Sequence, residues 1–133
     1  HKVYKVYKVY KVYKVVMFMS IEKFEDIIAW QKGRQLTQKI YEVLKENKDY
    51  GFKDQLFRSS VSIMNNIAEG FERRGDKELK HFMFIAKGSC GELRSMHYLA
   101  KDLRYITESQ YDDFNLLSLE ISKLLSGFIK ALH

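Results

Sequence analysis

The strongest constraint on the fold is a long run of apolar and small residues that recur every three or four positions. The run comprises Leu79, Phe82, Ala86, Ser89, Leu93, Met96, Ala100 and Leu103. This spacing places one continuous stripe along a single side of a long α-helix. Such a stripe is typical of helices that pack along their whole length in a bundle.

Three further segments have helical spacing. Their apolar positions are Ile27, Trp30, Leu36, Ile40, Val43 and Leu44, then Leu56, Ser60, Ile63, Ile67 and Phe71, and finally Phe114, Leu117, Ile121, Leu124 and Phe128. The first segment is predicted to run from Phe24 to about Asn47, and the second to end near the sequence RRGD. Asp76 is predicted to cap the third helix, and Thr107 with Gln110 has the spacing of a capping box before the fourth.

These segments predict an all-α fold, an antiparallel up-down-up-down four-helix bundle. The chain of 133 residues has no proline and is the size of one domain. Four helices of about 22 to 30 residues joined by short loops can pack only as antiparallel neighbours. The bundle is assigned to residues 19–133.

Residues 1–18 form a low-complexity tail built on the repeat KVY. A period of three matches neither a strand nor an α-helix, so the tail is predicted to stand apart from the fold. Three interpretations remain open. The tail is an ordered strand, a basic aromatic arm that contacts nucleic acid, or a translated DNA repeat upstream of a start at Met17 or Met19.

The positive charge of the chain lies mainly in this tail. The formal net charge is +6, from 23 basic and 17 acidic residues. Five lysines belong to the repeat, which leaves 18 basic against 17 acidic residues in the body. The lone Cys90 excludes an intrachain disulfide, and Val15 to Met19 is too short an apolar run for a signal peptide or a membrane span. We expect a soluble, cytoplasmic protein without membrane contact.

Catalytic and metal-binding motifs are weak. Glu78 and His81 form one ExxH pair, half of what a di-iron bundle requires, and no second pair exists. Cys90 and His97 lie seven residues apart, about 10 Å along a helix, which is beyond the reach of a nucleophile and its base. We therefore expect no enzyme, no cofactor and no metal.

Two polar rows are candidate functional surfaces. The first is a predicted structural network or subunit interface, with a ligand site as the open alternative, and comprises Arg58, Ser62, Asn66, Glu69 and Arg73 together with Ser89 and Glu92. The second is basic and is predicted on the side of helix three away from the apolar stripe. It consists of Lys80, Lys87, Arg94, Lys101 and Arg104. Such a row is ordinary on solvated helices, but repeated by oligomer symmetry it could hold a phosphate backbone.

The segments FEDIIAWQKGRQL, DQLFRSSVSIMNNIAEGFERR and FMFIAKGSCGELR resemble the family named for 23S ribosomal RNA intervening-sequence proteins. The resemblance extends from Phe24 to about Leu125, and NIAEG at Asn66 to Gly70 is its most specific part. Met64 departs from the family pattern, which has proline there. The resemblance implies a bacterial, cytoplasmic homo-oligomer, by analogy a pentamer, and it implies no enzyme.

Two functions follow as expectations. The leading one is a non-catalytic oligomeric bundle that binds structured RNA or an RNA-associated protein through the basic row. The resemblance adds a reverse-transcriptase-type partner, because related proteins serve diversity-generating retroelements. The alternative is a structural or protein-interaction module without nucleic-acid binding, and a metal-dependent enzyme ranks last.

Overall fold

The computed structural model describes residues 4–6 and 19–132 and confirms the all-α bundle. Its helices are α1 (Ile28–Leu44), α2 (Tyr50–Glu72), α3 (Asp76–Asp102) and α4 (Glu108–Ala131), preceded by a 3-10 turn at Phe24–Asp26. Neighbouring helices contact each other in the cyclic order α1, α2, α3, α4 and back to α1. This order and the short loops fit the up-down-up-down arrangement.

The core is formed by the predicted apolar positions of all four helices, and on α3 and α4 further residues are buried beside them. Met83, Cys90 and His97 are buried as well, so that the buried face of α3 is wider than the predicted stripe. The reason is that α3 packs against both α2 and α4. At its end Leu103, predicted as part of the stripe, is 45% exposed. Among the described residues, no helix is long and apolar enough to cross a membrane.

Helix α1 is shorter than predicted at both ends. Ile27 has an extended backbone (φ −75°, ψ 117°), which separates the 3-10 turn from the helix. An Asp26 carboxylate oxygen accepts hydrogen bonds from the backbone N–H groups of Glu22 and Lys23 (3.1 and 3.2 Å) and stabilises this turn. The prediction of one helix from Phe24 to Asn47 was therefore wrong in its bounds.

The other helix boundaries are set by local hydrogen bonds. The predicted capping box of α4 is confirmed, because Gln110 donates its backbone N–H to Thr107 Oγ1 (3.1 Å) and Thr107 donates its own to Gln110 Oε1 (2.8 Å). The predicted capping role of Asp76 is wrong. Gly75 occupies that position with φ +85°, a left-handed conformation that favours glycine, and Asp76 is the first helical residue.

A two-stranded antiparallel sheet precedes the bundle. Strand β1 (Tyr4–Val6) pairs with β2 (Met19–Ile21), with Tyr4 opposite Ile21. A short stretch of the KVY repeat thus contacts the first residues of the body. Residues 1–3 and 7–18 lie outside the described residues, and the separation of the tail from the fold stays a prediction.

Candidate nucleic-acid interface

Helix α3 has two flanks with different neighbours. On one flank, which we call the α2 flank, Ser89 and Phe82 contact α2. On the other, the α4 flank, Tyr98 and Lys101 contact Tyr111 of α4. The two candidate polar rows fall on different flanks, which allows them to be compared directly.

The α2 flank contains a short polar network. The hydroxyl oxygens of Ser62 and Ser89 lie 2.8 Å apart, and the Asn66 amide donates to the Ser62 carbonyl (2.8 Å) and hydroxyl (3.0 Å). These three residues are partly buried or buried, and each has a hydrogen-bond partner between α2 and α3 or within α2, as buried polar groups require. The structure therefore brings together three of the seven residues assigned to the polar row.

The rest of that row lies outside the network. Arg58 pairs with Asp54 (2.9 Å) and Arg73 pairs with Glu69 (2.9 Å), each along one turn of the same helix. Glu92 is exposed on α3. The charged members Arg58, Glu69 and Arg73 thus pair one turn away on the surface of α2. Their assignment, with Glu92, to a structural network or subunit interface stays a prediction.

Close packing beside the network explains one residue of the NIAEG motif. A β-carbon on Gly70 would lie 2.6 Å from Cβ of Phe82, a separation that side chains do not adopt. Gly70 is buried, and because it has no side chain, α2 and α3 can approach each other closely here. By contrast, within residues 4–6 and 19–132 no atom outside the local helix backbone lies within 4 Å of a β-carbon placed on Gly88 or Gly91 of α3.

The basic row runs along the α4 flank, where its surroundings differ from the prediction. Lys87 is exposed, but Lys80, Arg94 and Lys101 are partly buried. A spacing of seven residues turns by about 20° per repeat relative to a helix of 3.6 residues per turn. The row therefore drifts toward the buried side, and at its fourth member the ammonium group of Lys101 lies 4.1 Å from the ring centroid of Tyr111.

The basic side chains of α3 form no ion pair within the described residues. The ion pairs of the described chain are Lys32–Glu120, Lys39–Asp113, Lys45–Glu42, Arg58–Asp54 and Arg73–Glu69. All five bases belong to α1 or α2 or directly follow one of them. In addition, Nε of Arg94 and Oδ1 of Asn115 are buried without a hydrogen-bond partner in this part of the structure. Within the described chain, no acidic side chain forms an ion pair with the row.

Arg104, predicted as the last member of the basic row, lies beyond the end of α3. Its φ is +61°, and it is the one non-glycine residue with a left-handed backbone among those described. The backbone N–H of Arg104 donates to Lys101 (3.0 Å), and that of Tyr105 donates to Ala100 (2.9 Å). This is a Schellman motif, in which glycine is the usual residue at the position of Arg104.

Burial favours the neutral forms of Cys90 and His97, the two titratable residues in the buried face of α3. Burial raises the pKa of the Cys90 thiol to about 11, and Cys90 Sγ lies 3.1 Å from the carbonyl oxygen of Ser118. Burial also lowers the pKa of His97 to about 4, and both of its ring nitrogens lack a partner among the described residues. A thiol with a raised pKa is a poor nucleophile, and an imidazole of this kind stays neutral.

Glu78 and His81 are exposed near the start of α3. Within residues 4–6 and 19–132, no group of three or more His, Cys, Asp or Glu side chains is arranged to hold a metal ion. The hypothesis of a di-iron site at this pair therefore gains no further ligand from the fold.

Sequence reasoning missed two exposed aromatic residues beside the basic row. Phe84 is 53% exposed and lies between Lys80 and Lys87 in sequence, and Tyr98 is 52% exposed and lies between Arg94 and Lys101. The Tyr98 hydroxyl, followed by burial, raises the pKa of its neighbour Tyr111 to about 12. The sequence did contain a signal for Phe84 and Tyr98, because both are aromatic residues outside the predicted apolar stripe and each lies between two basic residues.

Comparison with known proteins places this bundle in a family. The family model described as 23S rRNA-intervening sequence protein matches residues 25–127, which is most of the chain. The chain belongs to the 23S rRNA-intervening sequence protein family. The suspected resemblance is confirmed, and the family description names no enzymatic activity.

A solved structure supports the same assignment. It is a crystal structure of a protein with unknown function from the S23 ribosomal protein family of Bacteroides thetaiotaomicron, with a TM-score of 0.71 and 30% sequence identity. The similarity covers 77% of this chain and 98% of that chain. No curated protein matches the sequence.

Proposed function

We propose that the protein is a non-catalytic, homo-oligomeric bundle that binds structured RNA or an RNA-associated protein through the basic row of α3. The observation that carries this proposal is the row itself. Lys80, Lys87, Arg94 and Lys101 have no ion-pair partner in the described part of the chain, whereas bases of α1 and α2 do. Phosphate groups are the natural partners of such unpaired cations.

The assembly and its location are proposed by analogy with the family. A cytoplasmic pentamer would present five copies of the basic row, and symmetry would convert a modest row into a larger positive surface. This matters because the body outside the repeat carries nearly balanced charge. The row has to act through its local arrangement and its repetition rather than through net charge.

Charge reversal in the row tests the proposal. In the full chain, Lys80→Glu with Lys87→Glu should lower affinity for a structured RNA by at least tenfold near 150 mM salt. The slope of log affinity against log salt should also fall, because each lost phosphate contact removes about 0.7 to 0.9 from it. Fluorescence anisotropy over a salt series measures both quantities.

The matched control is Lys48→Glu with Lys123→Glu, which makes the same charge change at exposed positions off the row. The KVY tail is identical in both variants, so a difference between them reports on the bundle surface. Equal affinities of the two variants would remove the row from the binding site. Absence of binding to every tested RNA, by the parent protein and both variants, would favour the second candidate function.

That second candidate is a structural or protein-interaction module, and the network of Ser62, Asn66 and Ser89 favours it. These residues are satisfied between helices, as expected for groups that fix helix register. In this case the basic row would serve only solubility. Asn66→Ala should then change oligomer size or melting temperature, and an unaltered assembly would count against this second function.

A further inference from the structure

The α4 flank of α3 combines exposed rings with cations that form no ion pair among the residues that the structure describes. Phe84 and Tyr98 each leave about half of the side chain open to solvent. Each stands between two members of the basic row in sequence, and neighbours three or four residues apart share a helix face. An exposed ring beside a cation is the arrangement by which proteins hold single-stranded nucleic acid, with bases on the rings and phosphates on the cations.

The surface between the two rings is open. Phe84 and Tyr98 are 14 residues apart, which corresponds to about 21 Å along a helix. Gly88 and Gly91 lie between them, and a β-carbon placed on either would have no atom from elsewhere in the described residues within 4 Å. Stacked nucleotides rise by about 3.4 Å each, so roughly six nucleotides span this distance.

We infer that Phe84 and Tyr98 stack unpaired bases of a single-stranded RNA segment whose phosphates contact Lys80, Lys87 and Arg94. This inference rests on the proposed RNA-binding function and specifies which part of an RNA is bound. A duplex presents its phosphates and groove edges but keeps its base faces stacked internally. The rings therefore add affinity only for unpaired nucleotides.

Charge limits the extent of the site. Asp102 and Asp112 are exposed near its C-terminal end. After the Tyr98 hydroxyl and burial, the negative charge of Asp112 also raises the pKa of Tyr111. Lys101 is also occupied with the ring of Tyr111. The phosphate path is accordingly assigned to the part of the row from Lys80 to Arg94.

Two probes separate stacking from charge. The first is a fluorescein-labelled 12-nucleotide RNA of mixed sequence without self-complementarity, and the second is the duplex of the same RNA with its complement. Affinity of the full chain is measured for both by anisotropy at several salt concentrations. Light scattering gives the oligomer size of each variant under the same conditions.

Tyr98→Ala and Phe84→Ala should each weaken binding of the single strand between about 5-fold and 150-fold, the range expected when a stacking residue is removed. The salt slope should stay unchanged, because no phosphate contact is lost. Tyr98→Phe keeps the ring and should bind as the parent protein does. Tyr50→Ala removes a ring that is 67% exposed elsewhere and should have no effect.

Three results would overturn the inference. Equal binding of single strand and duplex, unaffected by the ring variants, would leave the basic row as an RNA site without stacking. A change of oligomer size in Tyr98→Ala or Phe84→Ala but not in Tyr98→Phe would make this face a subunit interface. Failure of both probes to bind, together with failure of structured RNA, would remove the proposed function itself.

Discussion

The two flanks of α3 differ in how many of their polar and charged groups have partners within the fold. On the α2 flank, Ser89 is hydrogen-bonded to Ser62, and Gly70 admits Phe82 at close range. On the α4 flank, the Arg94 guanidinium Nε has no acceptor and the cations have no carboxylates among the described residues. The fold by itself accounts for the residues of the first flank. Residues of the second flank are left with capacity for an external partner.

The largest effect that tests this contrast is expected at His97, which is 1% exposed and contacts Phe114 across the α3–α4 packing. Its folded-state pKa of about 4 lies below the unfolded value of 6.5. As pH falls from 6.5 toward 4, the unfolded chain binds a proton that the folded chain does not. The free energy of unfolding should therefore decrease, by about 3 kcal/mol in total.

Chemical denaturation between pH 4 and 7 measures this loss. His97→Leu should flatten the dependence in that range, while His81→Leu, at an exposed position, should leave it as in the parent protein. An equal pH dependence in parent and His97→Leu would mean that His97 finds a partner or solvent when the chain is in solution.

An effect of about 2 kcal/mol is expected from two glycines in different packing environments, Gly70 of α2 against α3 and Gly88 on the exposed side of α3. Gly70→Ala places a β-carbon against Phe82 and should destabilise the fold by about 1 to 3 kcal/mol, because backbone and Cβ atoms cannot move aside cheaply. Gly88→Ala meets no atom within 4 Å in the part of the chain that the structure describes, and it should stabilise α3 by up to about 1 kcal/mol. Changes of opposite sign in the melting temperatures of the two variants would confirm the contrast, and changes of equal sign would contradict it.

The smallest effect is expected at the end of α3. Arg104→Gly relieves the left-handed backbone, partly offset by the greater freedom of glycine in the unfolded chain, and should raise stability by about 0.5 to 1 kcal/mol. Arg104→Ala removes the guanidinium but keeps the strain, so it serves as the control in thermal unfolding. A gain in the alanine variant instead would assign the cost to the charge and not to the backbone.

Apolar periodicity was sufficient to predict the four helices and most of the core. It failed where two helices share α3, because Met83, Cys90 and His97 become buried only when α2 and α4 are both in place. It also failed at Ile27, where an extended residue interrupts an otherwise helical pattern. In both places the outcome depends on tertiary packing, which the periodicity of the sequence does not report.

The candidate site was predicted in part. The basic row was found from its spacing of seven, but the half-buried positions of Arg94 and Lys101 follow from the drift of that spacing around α3. Phe84 and Tyr98 were missed because an aromatic residue is normally read as part of the core. Only the packed bundle shows that their rings remain outside it.

The same drift gives the row a direction. Lys80 stands one turn from the start of α3, where the helix macrodipole is positive, and Lys101 stands at the negative end against Tyr111. The two ends therefore differ in electrostatic potential, and the C-terminal end contacts α4 through Tyr111. We expect a partner with a chemical polarity of its own, such as a strand running from 5′ to 3′, to meet two unlike termini and to prefer one orientation along the helix.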